Sequence, residues 1–314
     1  MNEPTPAAAA LKLNRGPKEM PALGFGTLIE GAEATRAAVS AALQAGYRLI
    51  DCAEQHRNES AVGAALKQAF AGGLKRDDVF VSTKLWNSNH RPERVKDACE
   101  ASLRRLGLER LDLYLVHTPF AFQPGRDEPE GSSALNGYDM DMSLPETWSA
   151  LEQLVAEGKC GAIGLSNVGV DRIEMICGSA SVKPSVVQVE AHPYLPQDGL
   201  LAECRGRGVV LQAYAPLAHG HVEGPLENVF VKRLAEKLGC TPAQVLLAWA
   251  LARGTAALTS SRDPRRIRES RALPALDAET LRDLTLSIVF RRRFNRVTET
   301  GVPSFDAPPA PGMS

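Results

Sequence analysis

Eight short apolar runs, separated by longer amphipathic stretches, most constrain how this 314-residue chain can fold. They are LGFGT (23–27), YRLIDCA (47–53), VFVSTK (79–84), LDLYLVH (111–117), CGAIGLS (160–166), SVVQVE (185–190), GVVLQAYA (208–215) and TAALTS (255–260). Val, Leu and Ile dominate them, as in parallel strands covered on both faces. Between them, residues 32–45, 59–70, 93–106, 147–156 and 242–252 carry apolar side chains at helical spacing. Gly46, Gly72 and Gly107 read as helix C-caps. Thr241-Pro242 and Asp263-Pro264 read as helix starts, a polar N-cap followed by Pro at the first helical position. Eight such alternations in about 250 residues predict a (β/α)8 TIM barrel, an α/β fold. The competitor, an open doubly wound sheet, usually has fewer strands and a Gly-rich first turn. Both GxG pairs here, Gly24/Gly26 and Gly206/Gly208, lack the third glycine of that turn.

Residues 11–21 alternate loosely around Asn14-Arg15-Gly16, which predicts an N-terminal β-hairpin ahead of the barrel. One barrel domain then spans residues 1–314, with its core at about 11–290 and mobile ends at 1–10 and 305–314. A long Gly/Asp/Ser-rich loop after the fourth strand (120–144) and an irregular C-terminal tail (290–314) stand outside the repeat. In barrels, long loops after strands build the active-site face.

Composition narrows the function. Basic and acidic residues number 36 and 37, a balance that argues against a nucleic-acid partner. The longest apolar run, residues 245–252, is far shorter than the roughly 20 residues of a membrane span. The start, MNEPTPAAAA, shows no secretory signal. Six scattered cysteines lack CxxC or zinc spacing, so free thiols, a cytoplasmic location and no metal are expected.

Polar residues at strand C-termini make barrel sites. Here Asp51 ends the second run with His56 five residues on, Lys84 ends the third, and His117 the fourth. Ser166-Asn167, Gln188 with Glu190, Tyr214 and Thr259-Ser260-Ser261 end the others. An Asp, a Lys and two His at neighbouring mouths can handle a proton at a substrate oxygen. A buried ion pair with two packed histidines is the plainer alternative.

The segments MPALGFGT (20–27), GYRLIDCA (46–53), VSTKLW (81–86), LDLYLVHTP (111–119), GLSN (164–167), VQVEAHPYL (187–195), AYAPL (213–217) and DPRRIRES (263–270) occur in the order and spacing of the aldo-keto reductases, which this chain resembles. The resemblance implies an NADPH-dependent carbonyl reductase in which Asp51, Lys84 and His117 support a proton donor. That donor is normally Tyr, and His56 stands in its place. Three readings follow. His56 replaces Tyr as donor or electrophile, with activity tilted toward lower pH. His117 or the substrate supplies the proton instead. Or the barrel binds cofactor without reducing carbonyls. A lyase or isomerase using Lys84 as a Schiff-base nucleophile is a more distant alternative.

The resemblance also implies a cofactor site at Thr27, Ser166, Asn167, Gln188 and Tyr214 for the nicotinamide, and at Ser260, Ser261, Arg262, Arg266, Glu269 and Ser270 for the adenosine and its phosphate. Ser260 stands where relatives carry a phosphate-binding Lys, so NADPH is expected with NADH as the alternative. Leu28, Trp86, Thr118, Phe120 and Phe122 are the implied substrate contacts, with fewer rings than usual. The expected partner is a small-molecule carbonyl compound, bound by a monomer or weak homo-oligomer.

Overall fold

The computed structural model describes residues 9–126 and 137–295. Eight parallel strands close a barrel: β3 (Leu23–Gly26), β4 (Leu49–Asp51), β5 (Phe80–Leu85), β6 (Leu111–Val116), β7 (Cys160–Ser166), β8 (Val186–Glu190), β9 (Val210–Tyr214) and β10 (Ala256–Thr259). Each pairs with its sequence neighbours, and β10 closes the ring on β3 with Thr259 opposite Phe25. The barrel expected from the alternation is the fold found.

The expected hairpin is present but shorter. Strands β1 (Ala10–Leu11) and β2 (Met20–Pro21) pair antiparallel, Leu11 opposite Met20. Ala10, expected in a mobile end, is therefore paired. Residues 1–8 and 296–314 lie outside the described residues, and so does the expectation for 305–314. Leu13 and Met20 pack with Leu49, Phe80, Leu113, Leu115, Ala162, Val186, Ala256 and Leu258, which form the interior of the barrel. The hairpin side chains thereby join the apolar filling beneath the site.

A second, larger core lies between the strands and the helices. The helices are α1 (Ala32–Gln44), α2 (Glu59–Ala71), α3 (Pro92–Leu106), α4 (Leu144–Ala156), α5 (Val170–Ser179), α6 (Asp198–Gly206), α7 (Val229–Leu238), α8 (Pro242–Ala252), α9 (Pro264–Glu269) and α10 (Ala278–Ser287). Thr241 caps α8 by accepting from Gln244 N, and Asp263 caps α9 by accepting from Arg265 N, as their sequence implied. Gly72 and Gly107 are the C-caps of α2 and α3, as expected, whereas α1 is capped by Ala45, one residue before Gly46; the left-handed glycines at these ends are Gly46 (φ 90°), Gly73 (101°) and Gly107 (68°). At Gly63 a Cβ would sit 2.5 Å from Arg105 O, so α2 meets α3 only because that side chain is absent.

Within the 120–144 segment, Phe122 bridges to Tyr138 and Ser143 caps α4 with Glu146, so α4 starts at Leu144 rather than Thr147. Residues 127–136 lie outside the described residues. All six cysteines are free thiols. Among the described residues, no helix is long and apolar enough to cross a membrane, and no group of three or more His, Cys, Asp or Glu could hold a metal.

Candidate active site

Parallel strands in register deliver their last side chains to one mouth. Asp51 stands beside Ser82 across β4 and β5, Ser166 beside Gln188, and Glu190 beside Tyr214. At the centre, Lys84 Nζ donates to Asp51 Oδ2 (2.5 Å) and to the Cys52 carbonyl (2.7 Å). The other carboxylate oxygen of Asp51 accepts from Ser82 Oγ (2.7 Å) and Gln188 Nε2 (3.1 Å). Both carboxylate oxygens of Asp51 and two of the three Lys84 N–H groups are hydrogen-bonded, which is how a buried ion pair is tolerated.

His56 reaches the mouth on the short 3-10 turn Glu54–His56. The turn is stapled to the end of β5, because Glu54 accepts from Trp86 N (3.0 Å) and Asn89 Nδ2 (2.9 Å). His117 follows β6, with its ring centroid 6.3 Å from that of His56 and the planes at 80°. Burial, and secondarily the Lys84 cation, push the imidazolium pKa of His56 down to about 3. The same two causes hold His117 well below its usual value, with smaller contributions from His56 and His90. Both rings are therefore neutral near pH 7. In each, Nδ1 is buried without a partner, which leaves Nε2 to meet a ligand.

These groups open into a cleft of about 1130 Å³. Asp51, His56, Lys84 and His117 line it. So do Thr27, Ser166, Asn167, Gln188, Tyr214, Ser260, Ser261, Arg266, Glu269 and Ser270, and also Leu28, Trp86, Thr118, Phe120 and Phe122. Arg262 is not among the lining residues. Gln55, Asn87, Tyr138, His219, Lys232 and Asn295, which the sequence does not single out, also line it. No strand-end or motif position marks these residues, five on loops, short turns or the tail and Lys232 on α7; only the length of the two irregular segments hinted at Tyr138 and Asn295.

The groups present fit a nicotinamide dinucleotide. Asn167 has φ of 58°, and its amide donates to His117 O (2.9 Å) and Ser166 Oγ (3.2 Å). Its Oδ1 accepts from the Tyr214 hydroxyl (2.7 Å), whose own oxygen accepts from Asn295 Nδ2 (3.1 Å). Burial and Glu190 raise the Tyr214 pKa, keeping that hydroxyl a donor. Amides beside a phenol ring offer both the donors and acceptors a carboxamide needs and a flat face for a heteroaromatic ring. Ser261 and Arg266 offer a hydroxyl and a forked cation to a phosphate.

Along one side of the cleft, Trp86 meets His117 edge-on at 5.1 Å and Phe122 at 5.7 Å, while Tyr138 meets Phe122 at 5.2 Å and Phe120 at 6.4 Å. Thr118 donates to Asn87 Oδ1 (2.9 Å), and Leu28 is 61% exposed at the rim. The result is one aromatic wall facing an open side.

The sequence profile of the Aldo/keto reductase family matches residues 22–285. The chain is 43% identical over 270 residues to "Aldo-keto reductase family 1 member A1" of Mus musculus, covering 83% of this chain and 82% of that protein. It is 39% identical over 263 residues to an aldo/keto reductase of Synechocystis sp., covering 81% and 80%. The solved structure of the aldose reductase from Schistosoma japonicum superposes with a TM-score of 0.87 at 35% identity, covering 95% of this chain and 98% of that one.

Proposed function

We propose that this chain, which belongs to the aldo/keto reductase family and is thus an NAD(P)H-dependent oxidoreductase acting on carbonyl compounds, reduces small aldehydes or ketones with NADPH and uses His56 as a neutral electrophile. The observation that carries this is the buried, unpartnered Nδ1 of His56 next to the Lys84–Asp51 pair. Nδ1 lacks a partner in either tautomer, so a carbonyl bound in the cleft selects the tautomer with the proton on Nε2, whose N–H its oxygen can accept.

When bound, the reduced nicotinamide supplies the hydride to the carbonyl carbon. His56 Nε2–H and His117 Nε2–H donate hydrogen bonds to the carbonyl oxygen and hold it in place. As negative charge develops there, the Lys84 ammonium, fixed by Asp51 and the Cys52 carbonyl, stabilises it in a dry site. The alkoxide takes its proton from the imidazole N–H, and solvent restores that proton. A neutral imidazole in an electrophilic role needs no acidic medium. The tilt toward lower pH expected from the sequence therefore drops out of this reading.

Asn167, Ser166 and Gln188 orient the carboxamide, and Tyr214 supplies the ring face. Ser261 and Arg266 favour NADPH. Loss of NADPH absorbance with a panel of aldehydes and ketones, abolished in Lys84→Met, tests this. Tight nucleotide binding with no turnover on any compound would assign a nucleotide-binding barrel instead.

A further inference from the structure

The adenosine end of the cleft contains a cation that the sequence motifs do not mark. Among the described residues lining the cleft, the lysines and arginines are Lys84, Lys232 and Arg266. Lys84 is committed to Asp51 at the reaction end. Lys232 lies in the first turn of α7, and its Nζ is 2.5 Å from Glu227 Oε2 on the 3-10 turn Pro225–Glu227. That turn packs on both α7 and α8. The first residues of α8, Pro242 and Ala243, line the cleft as well. The next residue, Gln244, ties α8 to the far side of this end, because its Nε2 donates to Glu269 O (3.1 Å) and Ala272 O (2.6 Å). Lys232 and Arg266 thus line the same cleft as the start of α8, Lys232 on the helix before it and Arg266 on α9, to which Gln244 is tied through Glu269 O.

We propose that Lys232 is a phosphate-binding cation for the 2′-phosphate of NADPH, exchanging Glu227 for that group when the nucleotide enters. This rests on the NADPH reading above. A phosphate monoester carries about −1.5 to −2 charges at pH 7 and asks for more than one cation. Arg266 is 73% exposed, and among the described residues its carboxylate partner is a distant one, Asp263 at 3.9 Å. The Lys232–Glu227 pair is itself half-exposed, at 46% and 57%. Such a pair holds its partners weakly, so a dianion displaces the carboxylate readily. Before binding, Glu227 keeps the ammonium from straying, and afterwards it turns to solvent. NADH lacks the phosphate and leaves the pair intact.

Equilibrium binding of NADPH and NADH, followed by quenching of intrinsic fluorescence, tests this on the wild type, Lys232→Met and Glu227→Gln. Lys232→Met is expected to raise the NADPH Kd about tenfold and flatten its salt dependence, leaving NADH within about twofold. Glu227→Gln, which frees the ammonium, is expected to tighten NADPH and leave NADH alone. Wild type that prefers NADPH while Lys232→Met binds it equally well overturns the assignment and leaves the NADPH reading standing. Wild type with no preference between the nucleotides removes both.

Discussion

Lys84 Nζ sits 2.5 Å from Asp51 Oδ2, and both side chains are 4% exposed. Buried and doubly anchored, the ammonium has one geometry and cannot turn to solvent. Lys84→Met strands the carboxylate, so stability should fall by about 3–5 kcal/mol in urea unfolding. Turnover should fall by about 10² or more. Adding Asp51→Asn should restore much of the stability and none of the turnover. Equal recovery of both would show that the pair serves packing alone.

Glu190, fully buried at the end of β8, accepts from Phe294 N and Asn295 N (both 2.7 Å) and meets His192 Nε2 at 2.9 Å. It thereby fastens the C-terminal segment over the mouth and sets Asn295 against Tyr214. Asn295→Ala removes one hydrogen bond, about 1 kcal/mol. The nucleotide should then bind a few fold more weakly with little change in Tm, as read by fluorescence titration and thermal unfolding. An unchanged affinity would mean that Tyr214 needs no such support.

His90 is buried, its Nε2 has no partner, and burial lowers its pKa to about 3. The folded state refuses a proton that the unfolded chain accepts near 6.5. Stability is therefore intact above that value and falls as pH drops below it, by about 1.4 kcal/mol per pH unit for this one group until the folded pKa is reached. Urea unfolding between pH 7 and 4.5 should show a shallower pH slope in His90→Asn, by about one proton. An identical slope would place the titration elsewhere.

The barrel was legible because doubly covered strands are written as apolar runs; CGAIGLS corresponds to β7 residue for residue. Among the helices, α5, α6, α7 and α10 did not register. Helix α5 buries only Ile173 and Ile176, and α6 carries glycine at both ends, so neither shows a broad apolar stripe. The mouth residues could be read because strand ends fall at fixed places in the repeat. Asn295 and Lys232 reach the cleft through tertiary placement of a tail and an outer helix, which local sequence does not encode. Arg262 shows the converse: it follows Ser261 directly yet does not line the cleft.

If a neutral imidazole at His56 polarises the carbonyl beside Lys84, the pH dependence of kcat/KM from 5 to 8.5 will show it, measured by NADPH consumption for wild type and His56→Phe. The wild-type profile is expected to have no imidazolium limb near 6.5, and the variant to be slower by about 10² or more at every pH. A variant within twofold of wild type, or a wild-type rate that climbs steadily as pH falls through 6.5, would contradict it.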